Sequence, residues 1–368
     1  MKAYKNILFI LDHLKGGGAE RISLDVANNL AQKHKVTIAL LDSSNIRMPI
    51  SNRVNQVHLD VNKKFMSGNL WRNKKNKLTI GDINKINNLV SEKEYDLIIL
   101  SHWYSLHLAS LLEGNIWIWI HSEIFNPHKS RTSNPFRWYK EKRRVFLERK
   151  YFTKLLNGRN LIFVNNTLLE KYKSYIPQSN IKVIYNGIDE NRLKENLDNQ
   201  DKKIWDCIFV GRLSSEKQPE YAIQAFAAST LTGRMAIIGD GSLLPSLKNL
   251  ACKLGIENRL DFLGWQNNPA NFIKKSKVLI MSSKQEGFGL VIAEAILLET
   301  PVVAFNCSEG VFYQLNTPVL KEGLVPPQDL RALASKLEKI YHHPYEIKSV
   351  DKERLSIKTT IESFENLG

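Results

Sequence analysis

Short apolar runs alternate along the chain with stretches in which apolar residues return every three or four positions. Ile7–Leu11, Val36–Leu41, Leu97–Leu100, Trp117–Ile120 and Leu161–Val164 show almost no polar alternation, as expected of strands covered on both faces. Ile22–Leu30 repeats apolar residues at helical spacing between the first two. This β-then-α rhythm predicts a parallel sheet with right-handed crossovers. The rhythm restarts after Ile184. Cys207–Val210, Met235–Ile238, Leu260–Leu263, Val278–Met281 and Val302–Ala304 form a second strand set, and Tyr221–Ala228, Leu243–Leu254, Leu290–Leu298 and Leu330–Tyr341 fit the helices between. The polar stretch Asn186–Lys203 reads as a linker, and residues 62–77, polar and basic, read as a loop. The expected organisation is α/β throughout: a first domain over 1–185, a second over 186–350, and a helical segment, 351–368, that packs back on the first. Two such domains in tandem would enclose a cleft, with ligands at the carboxyl ends of the strands.

Composition narrows this picture only where it is uneven. A length of 368 residues suits two domains. No apolar run approaches the ~18 residues of a membrane span, and Met1–Ile10 has neither the length nor the cleavage site of a secretory signal. Cys207, Cys252 and Cys307 are far apart and odd in number, which reads as reduced thiols in a cytoplasmic protein. The net charge of +15 is lopsided. Residues 1–185 carry 30 Lys/Arg against 14 Asp/Glu, and residues 186–368 carry 22 against 23. The first half alone should be drawn to an anionic partner.

The candidate chemistry follows the strands. After the first comes Lys15-Gly16-Gly17-Gly18-Ala19-Glu20-Arg21. Its glycines permit close backbone approach to a phosphate or sugar at a helix N-terminus. The spacing is neither G-x-G-x-x-G nor a P-loop, which argues against a nicotinamide cofactor. His121 follows Trp117–Ile120 and can face the cleft; His102, after Leu97–Leu100, ranks below it. Gly211-Arg212-Leu213-Ser214-Ser215-Glu216-Lys217 puts a planar fork and a point charge on one loop, a pair able to clamp a diphosphate. Gly239-Asp240-Gly241 follows the next strand and could wall a nucleotide; taken alone it is a turn. The sharpest block is Glu286-Gly287-Phe288-Gly289-Leu290-Val291-Ile292-Ala293-Glu294. Its glycines would open backbone N–H groups at a helix start. Glu294 interrupts an apolar face between Ile292 and Ile296, so the two carboxylates can hold two hydroxyl-bearing parts of one ligand. The chain has no Asp-x-Asp, so no metal is expected, and the clamp would be cationic side chains and a helix dipole.

In this order and at these separations the motifs resemble glycosyltransferase family 4, the retaining GT-B enzymes of bacterial surface polysaccharide and lipid-linked glycan synthesis. The likeness covers nearly the whole chain, and includes Gly17-Gly18-Ala19-Glu20-Arg21, Val183-Ile184-Tyr185-Asn186-Gly187-Ile188-Asp189, Gly211-Arg212-Leu213 with Glu216-Lys217, Gly239-Asp240-Gly241, Phe262-Leu263-Gly264-Trp265 and the Glu-x7-Glu block. The resemblance implies two Rossmann-like α/β/α domains facing a cleft, and a hexosyltransferase using a nucleotide sugar, UDP-linked by expectation, with no cofactor. It implies that Arg212 and Lys217 hold the diphosphate, Glu286 the donor sugar and Glu294 the ribose. The backbone of Gly287, Phe288, Gly289 and Leu290 would lie around sugar and phosphates, with Gly211, Gly239, Gly241, Leu263 and Trp265 lining the nucleotide. Gly17, Gly18 and His121 would meet the donor from the other domain. The chain departs from the family at Asn306-Cys307-Ser308-Glu309-Gly310-Val311-Phe312-Tyr313 and in the shortened piece before Gly323, at the edge of the donor pocket.

Phe136–Leu156 recurs in Trp138, Val145, Phe152 and Leu156 at helical spacing and carries Arg143, Arg144, Arg149 and Lys150. A basic helix with aromatics suits an anionic membrane surface. It would hold the enzyme peripherally on the inner face of the cytoplasmic membrane, close to a lipopolysaccharide-core or lipid-linked acceptor. Residues 63–77, with Phe65, Trp71, five lysines and Arg72, would add a second patch. A nucleic-acid partner is not expected, since no such motif is present. Two other classes stay open on the sequence: a sugar-nucleotide epimerase on the same fold, against which the Glu-x7-Glu block argues, and a non-catalytic polyanion- or glycan-binding protein.

Overall fold

The computed structural model describes residues 4–67, 77–124, 134–195, 197–198 and 202–367. Contacts divide the chain into two units, Met1–Tyr185 with Thr360–Gly368, and Asn186–Thr359.

The first unit runs β1 (Asn6–Leu11), α1 (Gly18–Leu30), β2 (Lys35–Leu40), β3 (Val54–His58), α2 (Ile80–Ser91), β4 (Leu97–Ser101), β5 (Ile116–Ile120), α3 (Pro135–Leu156), β6 (Asn160–Phe163), α4 (Asn166–Tyr172) and β7 (Asn180–Val183). Its seven strands are parallel, in the order β3-β2-β1-β4-β5-β6-β7. The unalternated runs are the central strands, and they are buried throughout. The two strands the pattern does not announce, β3 and β7, lie at the sheet's edges. There only one face meets the core, so VNQVH and NIKV carry too few apolar residues to read as strands.

The second unit runs α5 (Glu190–Lys194), β8 (Trp205–Val210), α6 (Pro219–Ala228), β9 (Met235–Ile238), α7 (Leu244–Lys253), β10 (Leu260–Gly264), α8 (Ala270–Lys274), β11 (Ser276–Met281), α9 (Leu290–Leu297), β12 (Val302–Phe305), α10 (Glu309–Gln314), β13 (Leu324–Val325), α11 (Leu330–His342) and α12 (Ser349–Glu353). Its six parallel strands are ordered β10-β9-β8-β11-β12-β13. In each sheet the order reverses beside the first strand, between β1 and β4 and between β8 and β11. That is where an open α/β sheet leaves a crevice at its carboxyl edge.

The stretch expected to be a linker is built into the second unit instead. Asn186, Ile188 and Leu193 are buried. The Ile188 N–H donates to Leu355 O at 2.8 Å, and the Ile357 N–H to Ile188 O at 3.0 Å. Gly187 has to be glycine, because a Cβ there would overlap the Ser356–Ile357 backbone. The polar residues that suggested a linker are capping and pairing groups, such as Asp189, which caps α5. Helix α13 (Ile357–Glu365) closes the chain. Residues 351–359 stay with the second unit, and those from Thr360 on pack in the first. Phe364 is fully buried against Phe9 and Trp119, and Leu367 O accepts from the Trp117 indole N–H at 3.2 Å.

Candidate functional site

In the second unit the carboxyl edge gathers four of the sequence motifs. The loop after β8 is bound to the next one along by backbone. The Gly211 N–H donates to Ile238 O at 2.9 Å, and Leu213 N–H to Asp240 O at 2.9 Å. A Cβ on Gly239 would overlap Gly211 O, and one on Gly241 would overlap Leu213 O. Gly239 also has φ +131°, outside the range of other residues. These glycines are therefore required first by the close packing of two loops. The third loop joins through Gly239 N–H to Gly264 O, 2.8 Å, and Trp265 N–H to Asp240 Oδ2, 3.2 Å. Leu263 and Trp265 thus sit on a continuous edge with Gly211 and Arg212, and Arg212 is exposed there.

Lys217 is fixed by the turn that follows β11. The Ser282 hydroxyl donates to Gln218 O at 2.8 Å, and the Lys284 N–H to Glu216 O at 2.8 Å. Lys217 Nζ meets Glu286 Oε1 at 2.5 Å, and the Ser283 hydroxyl donates to the same oxygen at 2.7 Å. The two residues expected to hold different parts of a ligand are in contact with each other. The nearby Cys307 thiol is pushed up to about 12 by burial and then by the Glu286 charge. It rests as a neutral thiol, in line with an unreactive cysteine.

Gly287, Phe288 and Gly289 lead into α9, whose N-cap Gly289 has φ +86°. This left-handed conformation suits a residue with no side chain. Phe288 is buried. Leu290 opens the helix, and Glu294 follows in the next turn. Glu294 is buried, with Arg192 Nη2 3.1 Å from Oε1 and side-chain exposures of 14% for Arg192 and 9% for Glu294. A carboxylate this buried needs such a partner. Arg192 lies in the stretch expected to be a linker, and the sequence reading missed it because it is 102 residues from its partner. The departing segment 306–313 proves structural: Ser308 caps α10, a Cβ on Gly310 would overlap Gly287 O, and Gln314 Nε2 donates to Phe288 O and Gly310 O. A short helix thus supports the glycine turn from below. Gly310, flanked by non-glycine residues, was the available signal.

The first unit offers a different edge. Gly17 is the N-cap of α1, and the Glu20 carboxylate folds back so closely that a Cβ on Gly17 would overlap it. A side chain at Gly17 would displace that carboxylate; Gly18 opens the helix and is exposed. Glu20 Oε1 lies 2.9 Å from His13 Nδ1. The hydrogen bond to Glu20 raises the His13 pKa. Burial alone would lift Glu20, but the His13 contact outweighs it and holds the carboxyl below its usual 4.5. His121 Nε2 is 2.8 Å from Ser101 Oγ, which is 2.7 Å from Ser23 Oγ. Burial, then His102, drives the His121 pKa well below 6.5, so its imidazole is neutral at pH 7.

Helix α3 carries the aromatic and basic residues singled out in the sequence. Of the residues that recur at helical spacing, Phe152 and Leu156 are buried, Val145 is half-buried and Trp138 is 40% exposed. Phe136, Tyr139, Phe146 and Leu147 are also exposed, along with Arg143, Arg144, Arg149 and Lys150. Among the described residues the buried part of the helix is its C-terminal end, Phe152, Leu155 and Leu156. Phe65 is buried against Tyr104 and offers no surface patch, while Trp71 and Arg72 lie outside the described residues.

Comparison with known proteins agrees with this architecture. Residues 16–192 match the family model Glycosyltransferase Family 4, and residues 188–358 the model Glycosyl transferases group 1. An uncharacterised glycosyltransferase of Haemophilus influenzae is 29% identical over 82% of this chain and 81% of its own. An Escherichia coli UDP-Gal:alpha-D-GlcNAc-diphosphoundecaprenol alpha-1,3-galactosyltransferase is 31% identical over 36% of this chain and 38% of its own. Other curated relatives are likewise matched over less than half of their length. Among solved structures, Anabaena Alr3699/HepE in complex with UDP and glucose superposes with a TM-score of 0.71 at 19% identity, covering 98% of both chains. Two parallel α/β units, two tandem family matches and a shared fold over nearly the whole length lead to one conclusion: the chain is a GT-B glycosyltransferase of family 4.

Proposed function

We propose that this glycosyltransferase moves a hexose or N-acetylhexosamine, with retention, from a UDP sugar to a glycan acceptor carried on a lipid diphosphate or a lipopolysaccharide core. The observation that carries the donor half is the contact of Lys217 with Glu286 beside the glycine turn into α9. It is a cation and a carboxylate held ready at a helix N-terminus, where an anion is favoured. On binding, the diphosphate takes Lys217 and Arg212. Glu286 turns to sugar hydroxyls, and Glu294 receives the ribose while keeping Arg192. Gly287, Phe288, Gly289 and Leu290 present backbone to the sugar and phosphates. Gly211, Gly239, Gly241, Leu263 and Trp265 line the nucleotide, and Gly17, Gly18 and His121 belong to the first domain's share. The bond from the anomeric carbon to the leaving phosphate breaks as the acceptor oxygen bonds on the same face, and that phosphate takes the acceptor's proton. Catalysis then rests on positioning and charge stabilisation, with no divalent metal or other cofactor. A thermal-shift panel of nucleotides and nucleotide sugars tests the donor. Stabilisation by UDP and one UDP sugar, with slow hydrolysis of that sugar, supports it; no shift and no hydrolysis refute it.

The acceptor half is supported by the exposed aromatics and cations of α3, where Lys140 sits 4.4 Å over Phe136 and Lys142 3.9 Å over Trp138. The lipid-linked acceptor in the name of the E. coli relative points the same way. No helix among the described residues is long and apolar enough to cross a membrane. The exposed cations and aromatics of α3 support peripheral attachment to the inner face of the cytoplasmic membrane. Vesicles containing anionic phosphatidylglycerol should bind the protein, less so as salt rises. Unchanged binding after replacing Arg143, Arg144, Arg149 and Lys150 with Gln would remove α3 from this role.

A further inference from the structure

The turn after β4 contains a residue that its backbone does not favour. His102 has φ +89°, a conformation that suits glycine and strains a residue with a Cβ. The bend itself is explained by Asp12, whose carboxylate accepts from the N–H of Tyr104 at 2.9 Å and Ser105 at 2.8 Å. Glycine at 102 would make the same turn without strain, so the imidazole is retained at a cost. Strain of this kind is held where a side chain is needed.

The ring's contacts say what it offers. His102 Nδ1 accepts from the Asp12 N–H at 3.3 Å, which leaves the ring's proton on Nε2. Among the described residues Nε2 is buried and has no hydrogen-bond partner, and the same holds for His121 Nδ1. The two rings lie 6.0 Å apart, centroid to centroid, with His13 on the other side of His102 at 6.4 Å. All three follow strand ends, of β1, β4 and β5, which are neighbours in the sheet. His13 and His102 flank the reversal of strand order. Buried polar groups are normally satisfied, so two unpaired nitrogens side by side at this edge mark places for a ligand's oxygens.

We propose that His102 is a second substrate-contacting histidine, its Nε2–H donating to a sugar hydroxyl oxygen beside His121. The assignment rests on the glycosyltransferase donor reading above. The sugar is that of the donor or that of the acceptor, and one experiment separates them. Full-length wild type, His102→Gly and His102→Asn are compared by melting temperature, UDP affinity, hydrolysis of UDP-glucose, UDP-galactose and UDP-N-acetylglucosamine, and transfer to a lipid-linked glycan. His102→Gly relieves the backbone, so its melting temperature should equal or exceed wild type. UDP affinity should hold, because UDP carries no sugar, while turnover should fall about tenfold or more. His102→Asn tolerates the positive φ and keeps a donor, so it should recover part of the loss. A fall already present in hydrolysis assigns the contact to the donor sugar; a fall confined to the acceptor's KM assigns it to the acceptor. Wild-type hydrolysis and transfer in His102→Gly would overturn the assignment, as would a loss that tracks melting temperature without rescue by Asn. Wild type inactive with every donor would instead overturn the reading beneath it.

Discussion

The two units have the same sheet plan and put opposite chemistry at the same place. At the β8/β11 reversal the second unit holds paired charges: Lys217 on Glu286 and Arg192 on Glu294. At the ends of β1, β4 and β5 the first unit holds His13, His102 and His121, and among the described residues His102 Nε2 and His121 Nδ1 are buried without a partner. An edge of charges that satisfy one another can wait in a defined geometry and exchange partners when a charged ligand arrives. An edge with unpartnered imidazole nitrogens is complete only when a ligand's polar atoms are in place. The difference lies in what each edge leaves over: the second has its charges paired, and the first has imidazole nitrogens without a partner among the described residues.

The largest break in this comparison should come from Lys217→Ala. If the second edge supplies charge to the leaving diphosphate, steady-state turnover should fall at least a hundredfold, about 3 kcal/mol of barrier. Glu286 would then lack its cation, and Lys217→Arg should restore part of the rate. A Lys217→Ala enzyme within threefold of wild type would remove charge from the account of this edge.

Arg192 comes next. Removing one member of a buried pair leaves the other charged and desolvated, at about 3 kcal/mol. Arg192→Met should lower stability by roughly that much in urea denaturation, and weaken UDP binding more than it changes turnover at saturation. A variant with normal stability would show that Glu294 is satisfied by other groups.

A smaller effect is expected from Gly239→Ala, about 2 kcal/mol, from its φ of +131° and the overlap with Gly211 O. Stability should fall together with nucleotide affinity, since the Arg212 loop is held by that approach. If affinity fell with stability unchanged, Gly239 would instead be contacting the ligand itself.

These three residues also mark how far the sequence could be read. The second edge was legible because its parts are compact: Glu286 to Glu294 is one helical turn and its cap, and Gly211 to Lys217 is one loop. The central strands were legible because burial on both faces forces unbroken apolar runs. Arg192 was not, because a buried ion pair between distant segments leaves no periodic trace, and the polar residues around it imitate a linker. Strands β3 and β7 escaped for the related reason that an edge strand buries only one face. The histidine edge was half visible. Each histidine follows a strand, but their adjacency depends on the order β1-β4-β5, and the strain at His102 exists only in the backbone.

The smallest expected effect separates the edges by pH. The first edge carries the His13–Glu20 contact, whose histidine pKa is raised by Glu20. The folded pKa of His13 lies above 6.5 because Glu20 faces it, so its stabilisation is fully present below 6.5 and is lost as pH rises through the folded value. Glu20 is depressed below 4.5, so its share is present above 4.5 and is lost as pH falls through the folded value. The contact is therefore whole between about 4.5 and 6.5 and weakens on either side. His13 is partly exposed, which limits the gain to less than about 1 kcal/mol. Replacing His13 with Gln should flatten the stability curve between pH 6 and 8 and leave the region near pH 5 lower than wild type. Amide exchange at the start of α1 should quicken in wild type as pH passes 7, beyond the intrinsic rate, and that excess should vanish in the variant. If the excess persisted without His13, the glycine turn would be held by the Gly17 backbone alone, and the two edges would differ less in their response to pH than in their charge.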